Sequence, residues 1–343
     1  MKRSVTAVFL TGAVIMLITM SNQAKQGAIE GINLCVQIII PALLPILILT
    51  NMIMKSSGAS VFEHLFGWFA EKVLKLPRCA CCAVIFGLIG GYPAGTVLTA
   101  GLYEKGLIDK TDAKRIMSFN LCGGLAFIVT AVGEICLANK KIGWILYLCN
   151  LLAALIIAVF GGIFSKKRIP PKTKAPQYLN LGDAMVEAVD CTVNSLLAMS
   201  CYIILFSALS SMVNLPVIIT PIIEITNGIC KDPSAFTIPQ CAAFLAFGGF
   251  CIHFQLMGFL RKMEVGYLHF LLFRVIAAVL AYLAAFAYLR LFPQSAEVFS
   301  NMASGVTVSA TQVNAGLSTI MIIGCAVLVF DIEGKKIKLS NAK

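Results

Sequence analysis

IFGLIGGYPAGTVLTAGL, residues Ile85 to Leu102, is an apolar stretch broken at its middle by Gly90, Gly91, Pro93 and Gly95. One smooth membrane helix is excluded here. Proline removes a backbone donor, glycines loosen the helix, and bare peptide groups in hydrocarbon are costly, so the break must face protein or a wet cavity. A kinked packing helix is the plain reading and a substrate cradle the sharper one.

Outward from this stretch, the 343 residues are 59% hydrophobic and 13% charged, with the apolarity gathered in runs near the ~20 residues that cross a bilayer. The fold class is therefore an all-α polytopic membrane protein. The first run, Val5 to Met20, follows Lys2 and Arg3, and Ser21-Asn22-Gln23 lacks a small-x-small cleavage pattern, so it reads as a retained span. The net charge of +11 sits in short loops between apolar runs, where the positive-inside bias explains it without a nucleic-acid partner. Thirteen cysteines, Cys79, Cys81 and Cys82 among them, fall almost wholly in apolar segments and read as small hydrophobes; CxCC without a neighbouring histidine or carboxylate is not a metal site.

Taken in order, residues 1–28 form an N-terminal span and residues 29–164 a first repeat. The repeat opens with a span Ile29 to Met54, bent at Pro41 and Pro45. Val61 to Leu76 alternates charge with Phe62, Leu65, Phe66 and Phe69 at helical spacing, as an interfacial helix does, with His64 on its exposed face. Cys79 to Tyr103 has about ten residues on either side of its break, each arm ~15 Å long, which suits a re-entrant hairpin. Lys72, Lys75 and Arg78 before it and Lys105, Lys110, Lys114 and Arg115 after it place both ends in the cytoplasm. Phe119 to Leu137 and Ile142 to Phe164 read as spans. Residues 165–187 are a basic, proline-rich cytoplasmic linker. Residues 188–332 repeat the order: a span Ala188 to Val213, a short segment Pro216 to Cys230, an apolar run Ile238 to Leu260 broken at Gly248-Gly249, and spans Val265 to Leu291 and Ala315 to Phe330. Residues 333–343 are a tail. Paired interrupted segments at matching places in two halves point to two inverted repeats and about seven to eight crossings.

Two rules disagree on the tail. Full crossings throughout leave Lys335, Lys336 and Lys338 in the cytoplasm, whereas an inverted repeat makes Ile238 to Leu260 a hairpin entered from outside and the C-terminus external. The inverted repeat is the favoured expectation.

A helix restarting at mid-membrane points free N–H groups into the cavity, which favours an anion or a hydrogen-bond acceptor. The expected substrate-binding set is Gly90, Gly91, Tyr92, Pro93, Gly95, Thr96, Asn120, Gly248, Gly249, His253, Gln255 and Arg274. Tyr92 offers a face for a planar ligand, and His253 is equally readable as a buried histidine satisfied by a carbonyl. Arg274 lies inside its span and needs a carboxylate, a ligand or an interface. Glu134 and Glu224 are candidates for a coupling proton or for the headgroup level, and Glu187 for a solvated first turn.

No GxxxxGK[ST], HExxH or GxSxG occurs and the three histidines are dispersed. No enzyme, metal site or cofactor is expected; Cys251 and His253 at i, i+2 on a helix point apart and make no nucleophile–base pair.

GLIGGYPAGTVLTAGLYEKGLIDKTDAKRIMSFN, with FGGFCIHFQ in the second half, resembles the nucleoside-recognition or Gate domain family, closest to its YlbJ-type sporulation integral membrane branch. The likeness runs from about Ile29 to about Phe330, and the chain departs from the pattern at Cys122-Gly123-Gly124-Leu125, where relatives often carry proline. The resemblance implies an architecture similar to concentrative nucleoside transporters, with the two Gly-Gly segments as hairpin tips. It further implies a multi-pass protein of the membrane surrounding a developing spore, moving a dipicolinate-like dicarboxylate. The expectation is a secondary transporter or permease for a small polar, anionic solute, with a coupling cation and the lipid bilayer as further partners and no nucleic acid. A nucleoside transporter and a non-transporting protein of spore or envelope assembly are the alternatives, and oligomeric assembly stays open.

Overall fold

The computed structural model describes residues 2–165, 178–213 and 215–292. Those residues are helical throughout their regular structure. Helix α1 (Lys2–Thr19) leads into α2 (Ser21–Leu34), which runs through a π-helical stretch, Cys35–Ile39, into α3 (Ile40–Lys55). The wider π turns sit just before Pro41, where the missing proline N–H would otherwise orphan a carbonyl. Next come α4 (Gly58–Lys72), α5 (Ala80–Gly90), α6 (Ala94–Glu104), α7 (Lys110–Phe119), a π-helix Ala126–Cys136 and α8 (Lys140–Ile163). The second half holds α9 (Leu181–Met212), α10 (Thr220–Ile223), α11 (Ile225–Cys230), α12 (Ile238–Phe247), α13 (Gly249–Lys262) and α14 (Tyr267–Leu291). Polar caps mark the starts: Asp109 for α7, Asn139 for α8, Asn180 for α9, and a Thr237–Gln240 capping box for α12.

Among the described residues, five helices are long and apolar enough to cross a membrane: Ser21–Lys55, Lys140–Ile163, Leu181–Met212, Ile238–Lys262 and Tyr267–Leu291. The chain is an all-α polytopic membrane protein. Helix α2 runs across residues 28 and 29, and α9 across 187 and 188. Ala315 to Phe330 and the tail lie outside the described residues.

The molecule has two distinguishable ends. At one, basic residues gather: Lys55 pairs with Glu187 at 2.8 Å, Lys110 with Glu264 at 2.7 Å and Lys262 with Glu104 at 3.1 Å, and Lys75 reaches the Ile163 and Ser165 carbonyls at the end of α8. At the other, a Cys136–Cys230 disulfide joins the two halves, near Lys140–Glu134 and Lys231–Glu30 pairs. Cys136 and Cys230 thus depart from the small-hydrophobe reading of the cysteines. Glu134 and Glu187 are exposed and ion-paired, and His64 is exposed.

Three sequence expectations change. Phe119 to Leu137 is not one span: α7 rises from the basic end to Phe119, an irregular stretch with Asn120 and Gly123-Gly124 follows, and an 11-residue π-helix completes the passage to Cys136. Pro216 to Cys230 is split, because Glu224 leaves the helix to cap α11 with its own carboxylate. The two glycine breaks also differ. Helices α5 and α6 pack on one another, whereas α12 packs along α14 and α13 against α9, α10 and α6. From near the disulfide, α12 and α13 together run to the basic end, where Lys262 meets Glu104. Gly248, in the left-handed conformation at φ +88°, deflects this path without reversing it.

Candidate functional site

The fold brings the two glycine breaks together. The Tyr92 hydroxyl donates to the Leu245 carbonyl at 2.9 Å, and its ring lies 3.5–3.7 Å from the place a Cβ on Gly248 would occupy. Gly91, at φ +73°, rests on the irregular stretch before the π-helix: the Tyr92 N–H donates to the Cys122 carbonyl at 3.2 Å, and a Cβ on Gly91 would strike Gly124. Pro93 and Ala94 then start α6. Asn120 donates from Nδ2 to the Ala83 carbonyl at 2.9 Å and lies against Gly87 and Gly95, neither of which has room for a side chain. Gly95 and Asn120 therefore act on packing. Gly90 faces Ala94 and Leu47, and Thr96 is fully buried with its hydroxyl unpaired among the described residues.

Between Tyr92, the π-helix and α13 lies a small cavity of about 20 Å³, room for about one water molecule. Its polar lining is Tyr92, Glu224, Thr226 and Gln255; Ile39 of the π-helical stretch and Leu43 of α3, with Met199 and Ile203 of α9, supply apolar walls. Both amide atoms of Gln255 are buried and unpaired among the described residues, a state that costs about 1–3 kcal/mol per missing partner. Glu224 is 2% exposed and accepts from the Thr226 N–H at 3.0 Å and the Asn227 N–H at 2.6 Å. A carboxylate and an open amide thus line the same cavity.

His253 is satisfied by protein, and Arg274 is so at both terminal nitrogens, its Nε being buried and unpaired among the described residues. His253 Nε2 lies 3.0 Å from the Phe247 carbonyl and Nδ1 3.2 Å from the Tyr267 hydroxyl, so a neutral ring donates from Nε2 and accepts at Nδ1. Arg274, 2% exposed, donates to the Ser118 carbonyl at 2.7 Å, to Leu121 and, at 3.5 Å, to Ala246. These are carbonyls left open where α7 and α12 end, and a guanidinium with five donors gathers them. The N-terminus of α13 is likewise faced by protein: a Cβ on Gly249 would lie 3.2 Å from the Pro221 carbonyl and 3.4 Å from that of Ile223.

A second cavity, of about 350 Å³, opens at the basic end. Asn51, Lys55, Glu63, Cys79, Lys105 and Tyr178 contribute to its wall. Burial holds the Glu63 carboxyl above its ordinary pKa, opposed by the charge of Arg78.

Of the expected set, Tyr92 and Gln255 line the core cavity, Gly90, Gly91, Gly248 and Gly249 shape its surroundings, and His253 and Arg274 hold helix ends. Sequence reading placed Glu224 only as a proton carrier or headgroup residue and missed Thr226. Glu-Ile-Thr-Asn, a carboxylate two and three residues before helical N–H groups, was the available signal.

The chain is similar to the sporulation integral membrane protein YlbJ of Bacillus subtilis (strain 168), with 24% identity over 80% of this chain and 78% of that protein. No family model matches the chain, and no solved structure matches it. Its long apolar helices, together with its likeness to an integral membrane protein, make it a multi-pass membrane protein.

Proposed function

We propose that the chain is a secondary permease for a small polar solute, working in spore formation as the name of its relative says of that protein. The observation that carries this reading is the Gln255 amide, buried and unpaired among the described residues, in a small cavity where two interrupted segments meet. A buried amide with no partner is a polar group whose partner is a ligand or water. Glu224 and Thr226 share that cavity, so the solute offers both donors and acceptors.

The side chains refine the expectation of an anion. Arg274 is committed to carbonyls, α13 begins against the Pro221 and Ile223 carbonyls, and the cavity carries a carboxylate. A dicarboxylate of the dipicolinate kind fits only if it travels with a proton or cation at Glu224; a neutral hydrogen-bonding solute, a nucleoside among them, fits directly. The small volume means that the solute enters by displacing α3 or α9 from the cavity wall.

Uptake of labelled dipicolinate, uridine and small neutral amides into proteoliposomes tests the reading. Gln255→Leu and Glu224→Gln are each expected to cut the flux of the transported solute about tenfold, the effect of losing one hydrogen bond to a buried polar group. A solute gradient that both variants collapse at the normal rate would remove the cavity from the route. Absence of flux for every solute would favour the non-transporting role in spore or envelope assembly.

A further inference from the structure

We infer that Leu47, seated on the glycine turn at Gly90 and level with Leu196, is the gate between the basic-end vestibule and the core cavity. The inference rests on the permease reading for its purpose but on geometry for its place. Helices α3 and α9 run antiparallel in a register set by two contacts: Lys55 with Glu187 at 2.8 Å, and Asn51 Nδ2 to Thr192 Oγ1 at 3.1 Å. One further turn along each helix brings Leu47 to the level of Leu196, and the next brings Leu43 to that of Met199.

The cavities fall on this ladder in order. Asn51 and Cys191 line the vestibule, and Leu43 and Met199 line the core cavity. A single layer, about 6 Å or one helical turn deep, separates them. Within it Leu47 is 2% and Leu196 5% exposed, and Leu47 Cδ2 stands 3.9 Å from the place a Cβ on Gly90 would take. The third side follows the same order: Tyr92 lines the core cavity and Val97 the vestibule, with buried Ala94 between them.

This layer has the properties of a gate. Its leucines hold no water, so a polar solute crosses only when they part. Gly90, the last residue of α5, gives Leu47 a seat beside the turn into α6, so a shift of that helix end moves the seat. One turn toward the vestibule, the Asn51–Thr192 hydrogen bond ties α3 to α9 and acts as a latch beneath the leucines.

The test reads accessibility and not transport. Gln255→Cys is introduced into the full chain, and sealed vesicles of either orientation are treated with a membrane-impermeant maleimide. Peptide mass spectrometry follows residue 255 and, as a vestibule reference, Cys79. With Leu47 in place, residue 255 is expected to label slowly from both faces while Cys79 labels from the basic face. Leu47→Ala is expected to raise labelling of residue 255 about tenfold from the basic face only, with Cys79 unchanged, and Leu47→Met is expected to keep it slow. Should Leu47→Ala disturb Cys79 labelling, Leu196→Ala is read in the same way. No rise with either alanine, an equal rise from both faces, or Cys79 labelling from the disulfide face would overturn the gate. Solute flux through the unsubstituted chain separates the two readings: the expected labelling without flux keeps the gate and removes the permease, and flux with unaltered labelling removes the gate alone.

Discussion

At the scale of single residues, Arg274 shows how a membrane-buried charge is held by backbone carbonyls, with no counter-ion among the described residues. Three carbonyls at the ends of α7 and α12 accept from it, so its role is to clamp two helices from different halves. Arg274→Gln should then lower the ligand-free thermal midpoint in detergent, by the loss of about 3 kcal/mol or more that follows when charge-assisted buried bonds are broken. A purely solute-binding arginine would leave that midpoint where it was. Sequence reasoning recognised that Arg274 needs a partner and that His253 was as readable structurally as functionally. It could not find the partners, because open carbonyls at Ser118 and Ala246 belong to helix ends and carry no side-chain signature. Gln255 was legible as a polar residue in apolar surroundings, but its isolation among the described residues depends on what the neighbouring helices fail to present to it.

At the scale of elements, conformation separates glycines that look alike in sequence. Gly91 takes φ +73° against Gly124, whereas Gly101 lies inside α6 with nothing within 4 Å of an added Cβ. Gly101→Ala is therefore expected to raise the thermal midpoint, by about 0.5–1 kcal/mol of helix propensity, and Gly91→Ala to lower it. Equal effects in a melting comparison would refute this assignment of the turn. The break of α5 and α6 was legible because Gly90, Gly91 and Pro93 concentrate there. The different course of α12 and α13 was not, since Gly248-Gly249 looks like its counterpart. What separates them is tertiary: α12 has α14 to lie along, and α13 begins against the carbonyls of α10. The division of Phe119 to Leu137 was missed because its hydropathy is continuous across Gly123-Gly124 while its backbone is not.

At the scale of the whole molecule, the disulfide and the basic residues define opposite ends, and together they orient the chain. The basic end carries the short charged loops, which the positive-inside bias places in the cytoplasm; disulfides persist on the oxidising side. Cys136 and Cys230 should accordingly react with an impermeant thiol reagent only after reduction, and from the face opposite the vestibule. Reduction should also lower the thermal midpoint, by at most about 4–5 kcal/mol for a loop of this length in the chain-entropy account. The same two ends decide the path of the second half. Helix α13 finishes at Lys262, paired with Glu104, and α14 starts beside it and leads away toward the disulfide end. The inverted-repeat expectation, with Ile238 to Leu260 entered and left from one side, would instead put the start of α14 at the disulfide end. A reporter fused after Phe292 is expected to read as external. If the apolar run Ala315 to Phe330 crosses once, a reporter after Lys343 will read as cytoplasmic, in accord with Lys335, Lys336 and Lys338. A cytoplasmic signal at Phe292 would mean that α14 does not cross, and the antiparallel packing of α12 on α14 that places Arg274 between Ser118 and Ala246 would then have to be abandoned.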